Sequence, residues 1–208
     1  EDKRNYLFKE FIRITKIINP DAVVLENVSG LVSTGNGKFK QAIADSIENL
    51  GFEVFFKVLD ASDYGVPQKR RRIFFAGIKK NKNWLFPNKS YGLGLKKYNT
   101  VGDAILGDLP LLKSNQEKTE YISNPKNPYQ NYLRKKSKNL LNHKSPNHPD
   151  ETILKIQSTK PGDPMYPKFR QRIRLNKNDL SPTQICGGIR PQFQFGHPTQ
   201  ARGLTIRE

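Results

Sequence analysis

The chain has 208 residues, and its 36 Lys and Arg against 19 Asp and Glu give a formal charge of +17. That length suits one or two domains, and a 35% hydrophobic share that includes 12 Phe and 8 Tyr supports a modest core, which excludes a fully disordered polypeptide. The longest apolar runs, such as Ala22 to Leu25 and Ile73 to Ala76, fall far short of the roughly 20 residues of a membrane span. A single cysteine, Cys186, excludes an intramolecular disulfide framework and a Cys-rich zinc site, and fits a reducing, cytoplasmic compartment.

Leu7, Phe8, Phe11, Ile14 and Ile18 recur at helical spacing, so an amphipathic helix is expected that stops before Pro20. A short buried strand, Ala22 to Leu25, follows. Phe39, Ile43, Ile47 and Leu50 repeat the helical period, and Gly51 stands where a helix ends in the left-handed conformation. Residues 52 to 59 read as a second strand. Strand, helix and strand in this span predict a βαβ unit with parallel strands and a right-handed crossover. A third strand is expected from Arg72 to Ile78, after the loop Asp60 to Arg71. From Trp84 to about Leu180 periodicity fades and Asn, Lys, Pro and Tyr dominate, which predicts an irregular, loop-built small domain. The chain opens at Glu1 directly before a helical pattern, so a start further upstream is expected.

Charge divides the same way. Residues 1 to 66 carry 8 basic and 10 acidic side chains, and the rest carry 28 and 9. A one-signed field of that size favours a polyanion, and without an apolar stripe opposite the cations between residues 88 and 180, nucleic acid fits better than a membrane surface.

Two places could carry chemistry. Glu26, followed by Asn27, Val28 and Gly30, stands at the carboxyl end of the first strand, where open parallel sheets bind ligands; a turn- or helix-capping carboxylate is the alternative. In Gly65-Val-Pro-Gln68-Lys69-Arg70-Arg71-Arg72 a turn feeds a strand, so alternation would put Gln68, Arg70 and Arg72 on one side and Lys69 and Arg71 on the other; a solvated basic strand start is the alternative. Gly35-Asn-Gly37-Lys38 lacks P-loop spacing, Gly92-Leu-Gly94 lacks a third glycine, and Pro20-Asp21 with Glu26 lacks the Lys of a metal-dependent nuclease. His143, His148 and Asp150 could hold a metal but show no supporting shell, so no metal site is assigned.

Taken in order, LENVSGL (25 to 31), FKQAIADSIENLGFEV (39 to 54), DASDYGVPQKRRRIFFAGI (60 to 78), SPT (181 to 183) and HPTQARGLTIRE (197 to 208) resemble the cytosine-C5 DNA methyltransferases. Glu26-Asn27-Val28 matches the family's Glu-Asn-Val element, and Gln68, Arg70 and Arg72 match its Gln-x-Arg-x-Arg element. Val101 to Ile105 with Asp108-Leu-Pro110 looks like the start of the variable region, and Arg174-Leu175 with Ser181-Pro-Thr183 like its close.

The resemblance implies an α/β fold: residues 1–87 as the C-terminal part of a Rossmann-like, S-adenosylmethionine-dependent catalytic domain, and 88–208 as a smaller target-recognition domain. It implies a cysteine thiolate adding to C6 of a cytosine flipped out of duplex DNA, and methylation at C5 from S-adenosylmethionine. Glu26 would hold the N3 and N4 edge, with burial raising its pKa. Arg70 and Arg72 would hold the flipped nucleotide and orient the nucleophile, supported by Asn27, Val28 and Gln68. Lys69, Arg71, Arg174 and Arg190 are the expected DNA-binding cations. The family's Gly-rich cofactor loop, its Pro-Cys nucleophile motif and its last motif do not occur in the sequence, and Cys186 matches no nucleophile position. The cofactor-binding residues are therefore unassigned. A truncated protein, a decayed gene or one subunit of a split enzyme, with a second polypeptide carrying the missing motifs, is expected.

The favoured reading is the middle of a cytosine-C5 DNA methyltransferase of a restriction-modification system. The competing ones are a catalytically inactive, sequence-specific DNA-binding protein and a non-specific nucleic-acid binder.

Overall fold

A computed structural model describes residues 7–79, 82–135, 137–185 and 194–208. The chain divides into two compact units: residues 1–60 with 71–89, and residues 61–70 with 90–208.

The first unit is a three-stranded sheet with two helices. Helix α1 spans Phe8–Ile18 and ends on Asn19 in the left-handed conformation (φ 50°), one residue before Pro20. Its packing face differs from the expected stripe. Phe8, Phe11 and Ile12 lie against the core and Thr15 is buried, whereas Leu7, Ile14, Ile17 and Ile18 are exposed. The helix carries apolar residues around more than one face, so spacing alone could not choose which face packs. Helix α2, Lys38–Glu48, buries Ile43, Ala44 and Ile47, and Gly51 follows at φ 88°.

Strand β1 covers Ala22–Val28, β2 Phe52–Asp60 and β3 Arg71–Lys79. Their order is β1-β3-β2, and β3 runs antiparallel to both neighbours. The expected pair β1 and β2 therefore point the same way without being paired, because β3 lies between them. The physical reason is in β3 itself: Ile73, Phe75, Ala76 and Ile78 are all buried, on both faces, and a strand apolar on both faces belongs at the centre. Gly77 makes the fit close, since a Cβ there would stand 2.6 Å from Ile47 Cγ2 and 2.7 Å from Val23 Cγ2.

The second unit is built from short pieces: α3 (Val101–Ile105), α4 (Pro128–Arg134), α5 (Asp150–Ser158) and the two-residue parallel pair β4 (Ile173–Arg174) and β5 (Phe195–Gly196). Thr100 and Asp103 form a reciprocal capping box on α3. Val101, Ile105, Leu109, Leu140, Leu175 and Phe195 make a small apolar cluster. Buried polar groups knit the rest together. Gln130 donates to the carbonyls of Asp103 and Leu106 and accepts from the Lys126 amide. Among the described residues, no helix is long and apolar enough to cross a membrane.

Candidate active site

Glu26 lies inside β1, two residues before its end, not beyond it as expected. It faces Phe74 of β3, while Arg72 faces Val28, so the two side chains share one face of the sheet as diagonal neighbours. Arg72 Nε lies 2.9 Å from Glu26 Oε1, and Arg72 Nη1 donates to the Arg71 carbonyl at 2.8 Å. The Arg72 side chain is 17% exposed and that of Glu26 45%. The burial expected for Glu26 is therefore not found. In the described three-stranded sheet it sits on an outer strand, with its same-face neighbours Val24 and Val28 also exposed. A half-exposed pair of this kind adds little to stability, so its consequence is orientation: Arg72 holds Oε1 and leaves Oε2 open.

Asn27 points to the opposite face from Glu26, and its Oδ1 accepts the Val28 amide at 2.8 Å. Glu26, Asn27 and Val28 line a cleft of about 600 Å³ with Phe11, Gly30 and Phe39. An amino-acid nucleoside such as S-adenosylmethionine needs separate anchors for its ribose, ammonium and carboxylate groups. The cleft offers one carboxylate, Glu26, already engaged by Arg72, so these residues do not fit that cofactor.

The Gln-x-Arg-x-Arg element does not form one strand face. β3 starts at Arg71, so alternation governs Arg71 and Arg72 only; Gln68 and Arg70 belong to the irregular segment 61–70 of the second unit. There Gln68 forms an isolated bridge with Ser181, and the Lys69 amide donates to the Ser181 carbonyl at 2.8 Å. Lys69 and Arg71 are exposed, as DNA-facing cations need to be.

Arg174, expected as a DNA-binding cation, is engaged by backbone carbonyls of its own unit. Its Nη1 donates to the carbonyls of Ile156, Gln157 and Thr159 at 3.2, 3.3 and 3.0 Å, and its Nε to that of His197 at 3.3 Å. The guanidinium closes the C-terminal end of α5, where orphan carbonyls need donors. Arg190 and Cys186 lie outside the described residues. His143 uses both ring nitrogens: with a carbonyl at 3.0 Å, Nε2 must donate to Pro110, and Nδ1 accepts from the Thr205 hydroxyl at 3.1 Å. His148 Nε2 accepts the Gly203 amide at 3.0 Å. Asp150 sits in the first turn of α5.

One cluster escaped sequence reasoning. Arg202 makes a two-pronged ion pair with Glu208 at 2.7 Å on both oxygens, and the Thr205 amide adds a bond at 2.9 Å. His197 Nε2 is 3.5 Å from Glu208 Oε1, while its Nδ1 accepts the amides of Thr199 and Gln200. Burial pushes the Glu208 carboxyl up, but hydrogen bonds from Arg202 and His197 and the Arg202 charge outweigh it and hold it far below the usual range. Burial lowers the His197 pKa against the pull of Glu208. The 3.5 Å contact is thus one between a neutral imidazole and a carboxylate, because Nδ1 is occupied as an acceptor.

All 208 residues match the family described as C-5 cytosine-specific DNA methylase. The chain belongs to that family. It is 34% identical to the type II methyltransferase M1.HphI of Haemophilus parahaemolyticus and 32% identical to M.DdeI of Desulfomicrobium norvegicum, over the whole of this chain in both cases. It spans about half the length of these relatives, 51% and 56%. Among solved structures it resembles a candidate DNA modification methyltransferase encoded within an E. coli prophage, with a TM-score of 0.73 and 22% identity over 99% of this chain and 62% of that one, which establishes the α/β methyltransferase fold. Membership of the methylase family gives the Glu26–Arg72 pair its context.

Proposed function

We propose that this chain takes part in transfer of a methyl group from S-adenosylmethionine to C5 of a flipped cytosine in a specific duplex sequence, as in type II restriction-modification systems. The observation that carries the proposal is the 2.9 Å Arg72–Glu26 pair at the lip of an open cleft, in a chain of the cytosine-C5 family. A carboxyl group with one oxygen held and the other open matches the N3 and N4 edge of cytosine: one oxygen accepts from the N4 amine and the other shares a proton with N3. Proton transfer to N3 draws electron density from C6, the carbon a nucleophile must attack. S-adenosylmethionine would supply the methyl group, and the residues described at the cleft do not hold it.

The reading divides the labour as 1–87 for chemistry and 88–208 for recognition. Exposed Lys155, Lys160 and Arg170 rim an open groove of about 620 Å³ in the second unit, a surface suited to the phosphate backbone, and Lys69 and Arg71 add further cations. A second reading is a sequence-specific DNA-binding protein without catalysis, for which the exposed cations of the second unit would serve binding alone.

The test is transfer of labelled methyl from S-adenosylmethionine to mixed-sequence duplex DNA, with the chain alone and with a family segment carrying the Gly-rich loop and Pro-Cys motif. Transfer in the mixture that Glu26→Gln abolishes is the expected result. Transfer that survives Glu26→Gln would overturn the acid role. Cofactor-independent binding to one sequence, with no transfer under any condition, would select the second reading.

A further inference from the structure

Segment 61–70 carries Gln68 and Arg70 and joins β2 to β3, whose last register pair, Asp60 with Arg71, closes its two ends. Between those ends it is held by residues 90–99 and 181–183, all in the same unit. The Asp63 carbonyl accepts the amides of Ser90 and Tyr91 at 2.9 and 3.1 Å, and the buried Asp63 Oδ1 accepts the Tyr98 hydroxyl at 3.0 Å. Asn99 Nδ2 donates to the Gly65 carbonyl at 2.7 Å. Gly65 has φ +92°, and a Cβ there would stand 2.7 Å from the Tyr91 ring, so the ring packs against this backbone as closely as glycine permits.

The far end is fastened in the same manner. Beside the Lys69–Ser181 bond, the Ser181 amide donates to the Pro67 carbonyl at 2.9 Å and Thr183 Oγ1 to the Lys69 carbonyl at 2.7 Å. The segment also closes on itself, with the Ala61 amide donating to the Arg70 carbonyl at 3.0 Å. Loop 90–99 is braced by turn bonds from Gly92 to Lys96 (2.9 Å) and from Leu95 to Gly92 (3.0 Å), and the Lys96 ammonium lies 5.8 Å from the Tyr91 ring centre.

We infer that Ser90–Asn99 is a strut that positions segment 61–70, with Tyr98 and Asn99 as positioning residues for Arg70. Ordering an irregular backbone costs conformational entropy, and here that ordering is completed within the second unit before DNA arrives. Arg70 then meets DNA in a place dictated by the unit that reads the sequence. The role of Arg70 at DNA rests on the function proposed above; the strut itself does not.

The test uses the whole chain with Tyr98→Phe and, separately, Asn99→Ala, each of which deletes one mooring bond. Hydrogen exchange at the amides of Gly65, Gln68 and Lys69 is expected to quicken about five- to tenfold, with the midpoint of unfolding little changed. Unchanged exchange in both variants would overturn the strut. Duplex affinity then tests positioning. Arg70→Ala is expected to weaken binding, and adding Tyr98→Phe to it should weaken binding no further, whereas Tyr98→Phe combined with Lys160→Ala should be additive. Full additivity with Arg70→Ala would overturn the positioning role. Should Arg70→Ala leave affinity unchanged, the assignment of Arg70 to DNA fails, and the exchange data still decide the strut.

Discussion

The two units reach order by different physics. The sheet unit is held by interdigitated aliphatic and aromatic side chains, with Ile43, Ile47, Ile73 and Phe75 almost entirely out of water. Among the described residues the second unit spreads a similar number of buried apolar residues over a longer stretch of chain and adds hydrogen-bonded polar groups: Gln130 between helices, His143 between two loops, Arg174 on the end of α5, and Arg202 with His197 around Glu208. Apolar packing tolerates approximate partners, whereas a buried polar network loses heavily when one member is removed. The lesson is that the basic, recognition-like half of the chain should be the more brittle and the more sensitive to pH.

That contrast can be broken most directly at Glu208. Glu208→Gln leaves the buried Arg202 without its counter-charge and is expected to cost about 3–5 kcal/mol, read as a lowered urea midpoint for the second unit. A loss below about 1 kcal/mol would mean that the network is not what holds that unit. In the sheet unit the matching experiment is Gly77→Val, whose methyls would meet Ile47 and Val23; a cost of about 3 kcal/mol is expected, from overpacking alone.

Acid should separate the units next. The Glu208 carboxyl is depressed in the folded state, so its contribution is present above the unfolded pKa of about 4.5 and lost as pH falls below it. His197 and His148 are lowered by burial, so they oppose folding as pH falls from about 6.5 toward their folded values. Asp108 works the other way, because burial raises its pKa and acid relieves the cost. Thermal scans from pH 7 to 4 should therefore show the second unit melting earlier first, and more steeply in Asp108→Asn. Equal sensitivity in both units would remove the distinction.

Smaller effects sharpen the picture. Arg174→Met removes the donors on α5 and is expected to cost about 1–2 kcal/mol without changing duplex affinity; weakened DNA binding at unchanged stability would restore Arg174 as a contact. Glu26→Gln should shift stability by less than about 1 kcal/mol, as expected for a half-exposed ion pair. A larger loss would make the pair structural and weaken its reading as a site for a base.

Local patterning determined much of the first unit from sequence alone. Helical spacing marked α1 and α2, Gly51 marked the end of α2, and continuous apolar runs marked three strands, because each signal depends on neighbours within one turn or one pleat. The Glu-Asn-Val and Gln-x-Arg-x-Arg elements and their order pointed to the family for the same reason: they are short and linear. Only the tertiary structure decided which strand lies in the middle, that Arg72 meets Glu26 on the sheet face, that Glu26 is half-exposed, and that Arg174 caps the end of α5. Each of these depends on residues distant in the chain meeting in space, as His143 meets Thr205 and Tyr98 meets Asp63. A buried polar network leaves no period in a sequence, since its members are chosen by geometry and not by spacing.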